Sequence, residues 1–90
     1  MNLIDYINKL PKEVVKGLNS MNYGFDENDI EFKFEVDEHC CVNVNHDLDS
    51  NEMSFEPYYF EDGKCYKELN EKGVQMCNEI INTFRGEKNE

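Results

Sequence analysis

The chain has 90 residues, with 20 acids against 9 bases, a formal net charge of −11 at pH 7 and 39% hydrophobic residues. That apolar content suffices for a small folded core and excludes a disordered acidic tail, and the length allows one domain, 1–90. The charge excludes direct attraction to nucleic acid or to an anionic membrane, since it repels both.

The first segment places Leu3, Ile4, Ile7, Leu10, Val14, Val15 and Leu18 at helical spacing. Pro11 interrupts it, and proline is tolerated at a helix start but not inside one. Two short helices, about 2–9 and 11–20, are therefore expected, ended by the run from Asn19 to Gly24. Residues 30–37 alternate strictly: Ile30, Phe32, Phe34 and Val36 on one face, Glu31, Lys33, Glu35 and Asp37 on the other, which predicts a strand. A turn near Glu38 and His39 leads to a second strand with Val42 and Val44 inward and Cys41, Asn43 and Asn45 outward. The run His46–Asn51 reads as a loop of turn formers. Met53 and Phe55 then alternate with Glu52, Ser54 and Glu56 in a third strand that Pro57 confines to an edge or ends. Tyr66, Leu69, Gly73, Met76, Cys77, Ile80, Ile81 and Phe84 form the apolar stripe of a long last helix, with Asp62 as its start cap and Gly86 as its end cap. Gly73, on the stripe, is expected to let the helix approach the sheet closely. The predicted fold is α+β in the order α-β-β-β-α: short N-terminal helices, a three-stranded antiparallel meander, a long C-terminal helix, and the helices on one sheet face.

The charge imbalance is local. Residues 26–62 hold thirteen of the acids and a single base, Lys33. On the predicted sheet, Glu31, Glu35 and Asp37 stand beside Glu52 and Glu56 on the uncovered face, and the array continues through Asp47, Asp49, Glu61 and Asp62. Same-face residues repeat every ~6.8 Å along a strand and strands lie ~4.8 Å apart, so the carboxylates would form a rigid two-dimensional lattice. Ordinary soluble surfaces mix both signs more evenly. Tyr58 and Phe60 share the parity of Glu52 and Glu56 and would add aromatic anchoring area beside the acids. These residues form the candidate partner-binding set.

Other constellations carry less. Asp47, Leu48, Asp49, Ser50 and Asn51 have the look of a calcium loop, but Glu52 stands where such a loop needs glycine and Tyr58 where it needs a bidentate glutamate. His39, Cys40, Cys41, His46, Cys65 and Cys77 show no zinc spacing, and no nucleophile stands beside a base or a phosphate-binding loop. No metal, no cofactor and no enzyme activity is expected. No apolar run approaches a membrane span, and the opening Met1 to Asp5 lacks the order of a signal peptide. Alanine and tryptophan are absent, arginine occurs once and asparagine twelve times, the usage of an AT-rich coding sequence. A bacterial cytoplasm, with the four cysteines free and open to three pairings if oxidised, is the expected setting.

The element order resembles that of the double-stranded-RNA-binding domain. That family reads RNA with a lysine cluster at the start of its last helix, where this chain has Asp62, Gly63, Lys64, Cys65, Tyr66, Lys67 and Glu68. The resemblance is therefore one of topology, without the RNA site. In size, charge and α+β layout the chain also resembles the small acidic phage proteins that block bacterial defence nucleases, the anti-CRISPR and anti-restriction DNA mimics. That resemblance implies an inhibitor, monomeric or homodimeric, whose partner is a basic nucleic-acid-binding nuclease. The alternative is a host-side acidic interaction module, antitoxin- or adaptor-like, that binds a basic partner without competing with nucleic acid.

Overall fold

The structure, a computed structural model, describes residues 2–24, 27–38, 40–61, 64–66 and 69–85, of which 58–61 and 64–66 are described by their backbone alone. The elements run α1 (Leu3–Lys9), α2 (Lys12–Lys16), β1 (Leu18–Tyr23), β2 (Asp29–Glu35), β3 (Cys40–Asp47), β4 (Met53–Glu61), β5 (Lys64–Tyr66) and α3 (Glu71–Arg85). The five strands form one antiparallel sheet in sequence order. The two short N-terminal helices, the C-terminal helix and the α+β layering are present as expected. The sheet is wider than the expected three strands, with one extra strand at each edge.

β1 replaces the end of the expected second helix. Its pairing with β2 slips by one residue between Leu18 and Ser20, which leaves Asn19 as a bulge. The bulge brings both Leu18 and Met21, three apart in sequence, onto the covered face, where both pack against the core. The strand can begin directly after α2 because position 17 is glycine: a Cβ there would sit 2.2 Å from the Glu35 carbonyl oxygen. The Gly17 carbonyl accepts from the Glu35 N–H at 2.7 Å, which closes the first rung.

Strand β4 continues through Pro57, where the sequence suggested a stop. Among the described residues β5 pairs with β4 from Tyr59 to Glu61, a stretch that does not include Pro57. On its other side Pro57 faces Val42 at a position that exchanges no ladder bonds, so the proline takes no bond from β3. The last helix starts at Glu71, later than expected. Its cap is Asn70, whose Oδ1 accepts from the Gly73 N–H at 2.8 Å. The expected caps Asp62 and Gly86 lie outside the described residues. Gly73 makes room for the Leu69 side chain, whose Cδ2 would be 2.7 Å from an added Cβ, and not for the sheet.

One core joins the layers. Tyr6, Leu10 and Val14 from the N-terminal helices, Ile30, Phe32 and Phe34 from β2, Cys40, Val42 and Val44 from β3, and Met76, Cys77, Ile80 and Phe84 from α3 are all buried, with Val36 just past β2. All helices therefore cover the same sheet face. Among the described residues no helix is long and apolar enough to cross a membrane.

His46 belongs to this core. Read as a loop residue, it instead continues the inward parity of Val42 and Val44 and is 2% exposed. The Asn51 Nδ2 donates to the Phe84 carbonyl at 2.8 Å, so its Oδ1 is left to accept from His46 Nε2–H at 2.5 Å. The other ring nitrogen, Nδ1, then accepts from the Tyr6 hydroxyl at 2.6 Å. A polar chain thus runs Tyr6, His46, Asn51, Phe84 and ties α1, β3, the following turn and α3 together.

Candidate partner-binding face

The sheet face turned away from the helices is built by strand alternation. β2 sends out Glu31, Lys33 and Glu35; β3 sends out Cys41, Asn43, Asn45 and Asp47; β4 sends out Ser54 and Glu56. The register sets them in rows. One row reads Asn22, Glu31, Asn45, Ser54, and the next reads Ser20, Lys33, Asn43, Glu56. Lys33, Glu35, Ser54 and Glu56 are exposed, and Glu31, Cys41, Asn43 and Asn45 are half-buried.

Glu31, Glu35 and Glu56 are thus brought together as expected, but around a lysine and diluted by asparagine. Glu31 and Glu35 stand roughly 13–14 Å apart along β2 with Lys33 between them. The Glu35 carboxylate lies 3.5 Å from the Asn19 amide of the bulge. At the centre of the face the Oδ1 of Asn43 is buried and has no hydrogen-bond partner. Buried acceptors are normally satisfied, so this one marks a position where a donor is missing.

A denser acidic group forms at one end of the sheet. Asp29 pairs across the ladder with Asp47, and Asp47 pairs onward toward Glu52. With Asn28, Asn45, Asp49, Met53 and Ser54 these residues line a groove of about 460 Å³. Asp29 was not singled out from the sequence, although it has the parity of Glu31. The resemblance to a calcium loop resolves here as a hairpin turn. Asp47 Oδ1 accepts from the N–H groups of Asp49 at 2.9 Å and Ser50 at 3.3 Å, and Asn51 takes the left-handed φ of 61° that closes the turn.

Asp37 does not join the face. β2 ends at Glu35, and Asp37 sits in the hairpin that follows, where it accepts from the Cys40 N–H at 3.0 Å and from Asn70 Nδ2 at 2.8 Å. It fastens the start of α3 to the β2–β3 turn. Of the remaining candidates, Tyr58, Phe60 and Glu61 are placed by register opposite Cys41, Cys65 and Lys64, and their side chains, like the whole of Asp62, lie outside the described residues.

The field of the face registers on Cys41. Burial raises its thiol pKa first and the Glu35 charge raises it further, while Lys33 works the other way. Cys40 is raised chiefly by burial, and burial with the nearby Cys40 pushes Cys77 up to about 11. All three are free thiols, held in the form that does not react as a nucleophile. Compared with known proteins, the chain matches no family model, no curated protein and no solved structure.

Proposed function

We propose that the uncovered sheet face is a docking surface for a basic protein, and that the chain acts as an inhibitor occupying the nucleic-acid-binding groove of a defence nuclease by charge mimicry. The observation that supports this reading is the placement of Glu31, Glu35 and Glu56 on the face the helices leave open, continuous with Asp29, Asp47 and Glu52 at its end. A groove built to hold phosphates presents lysines and arginines on a surface of similar width, and these would meet carboxylates in place of phosphates.

Magnitude limits what the charges do. An exposed ion pair contributes about 0.2–1 kcal/mol, so a handful of them supplies roughly 1–5 kcal/mol. Micromolar affinity needs about 8 kcal/mol. The acids therefore steer the encounter and select a basic partner, and further contact area must come from elsewhere on the molecule.

The test is competition. A labelled short DNA duplex is bound to a purified RNA-guided or restriction nuclease and the chain is added. Displacement of the duplex supports charge mimicry. A stable ternary complex contradicts it and points to an interaction module of the adaptor kind.

A further inference from the structure

We infer that the open edge of β1 takes up an extended basic segment of the partner as a sixth strand; this rests on the acidic-surface reading above and names the missing contact area. Among the described residues β1 is the first strand of the sheet and pairs on one side, with β2.

The ladder shows which of its backbone groups face outward. The Gly24 N–H donates to the Asp29 carbonyl at 2.8 Å, so these two form a hydrogen-bonded pair. Alternation then places Asn22–Glu31 and Ser20–Lys33 in bonded pairs and Met21–Phe32 in a non-bonded one. Across the bulge, the Glu35 N–H bond to Gly17 makes Leu18–Phe34 non-bonded too. The far side of β2 agrees: Leu48 N–H donates to Asn28 at 2.9 Å and Val36 N–H to Cys40 at 2.8 Å, so even-numbered residues of β2 bond β3 and odd-numbered ones bond β1. The N–H and C=O of Leu18 and Met21 therefore point away from β2, along the open edge.

Proteins normally guard such an edge with lysine, proline, an inward charge or a bulge. The segment Leu18–Tyr23 has no charged residue and no proline in a chain that is 32% charged; among the described residues the bulge at Asn19 is its one guard. The side chains it turns to the outer face, Ser20 and Asn22, are short and neutral. Behind Asn22 stands Glu31 and behind Ser20 stands Lys33, while Glu35 lies beside the Asn19 bulge. A strand added ~4.8 Å beyond β1 could pass lysine side chains over Asn22 to Glu31 and past the Asn19 bulge to Glu35, leaving a neutral residue opposite Ser20 and Lys33. This geometry fits a segment alternating basic and neutral residues, the mode in which main-chain bonds supply affinity and side chains supply choice. A second copy fits worse, because it offers no lysine in its own β1 and brings another charge of −11.

The probe is a peptide of roughly ten residues alternating lysine with valine and threonine. Met21→Pro removes an N–H that the ladder to β2 does not use, so the fold should survive while the added strand loses a bond and meets the ring. Peptide affinity should fall about tenfold or more in Met21→Pro, and the Leu18 and Met21 amides of the unsubstituted protein should gain hydrogen-exchange protection with peptide bound. Equal affinity in Met21→Pro, or no protection at either amide, would overturn the inference. If Met21→Pro fails to fold, the exchange result on the unsubstituted protein decides. A concentration-dependent dimer that Met21→Pro abolishes would overturn it in favour of a second copy. Triple replacement of Glu31, Glu35 and Glu56 by lysine separates the two readings: binding retained there but lost in Met21→Pro leaves the edge standing and removes the acidic face, and the reverse pattern removes the edge alone.

Discussion

Tyr6→Phe isolates one oxygen in the centre of the fold. The Tyr6 ring stacks on Phe84 with centroids 4.8 Å apart and meets Phe32 edge-on at 5.8 Å, and both contacts survive the change. What disappears is the donor to His46 Nδ1, in a site where Tyr6 is 0% and His46 2% exposed. An acceptor left buried without its partner costs about 1–3 kcal/mol. For a domain of this size that corresponds to a fall in Tm of roughly 5–20 °C. Urea unfolding followed by near-ultraviolet circular dichroism should show a lower midpoint at an unchanged slope, since the packed area is the same. A variant within about 0.5 kcal/mol of the parent would refute the assignment of the Tyr6–His46 bond as a structural tie.

Three further outcomes follow from the same coordinates. Asn51→Ala removes the acceptor for His46 Nε2–H, the donor to the Phe84 carbonyl and the tolerance for a φ of 61°; it should cost about 2–4 kcal/mol by chemical denaturation, and Asn51→Gly less. Glu35→Gln removes a charge that raises the Cys41 pKa, so iodoacetamide should alkylate Cys41 faster at pH near 8; an unchanged rate would mean Glu35 does not act on the thiol. Burial holds Cys77 protonated up to about 11 against an ordinary value of 9.0. The unfolded chain loses that proton first, so stability from this group is complete below pH 9 and declines by roughly 2–3 kcal/mol as pH rises to 11. Cys77→Ser, which lacks the titration, should flatten that part of the stability–pH curve.

The parts of the fold that could be read from the chain are those where a period runs undisturbed. Ile30, Phe32, Phe34 and Val36 alternate without interruption, and the structure buries all four. β1 was hidden because its bulge sets Leu18 and Met21 three apart, a spacing that continues the helical pattern of Leu10, Val14 and Val15. β5 is three residues long, too short for any period to show. His46 looked like a loop residue because Asn45 and Asp47 flank it, yet counting by twos from Val42 would have placed it inward. Within the candidate site, parity located Glu31, Glu35 and Glu56, whereas Asp37 fell off the face because the strand stops two residues before it. No periodicity shows where a hairpin will turn, and here an Asp37 side-chain bond to the Cys40 N–H makes that turn.

The most direct test of the acidic face is the binding of Glu31→Lys, Glu35→Lys, Glu56→Lys, in one variant, to a basic nucleic-acid-binding nuclease by surface plasmon resonance across a range of salt. The account predicts that the parent associates faster at low salt and that the variant loses most of that rate while keeping the parent circular dichroism spectrum. An association rate equal to the parent's, at every salt concentration, would contradict it.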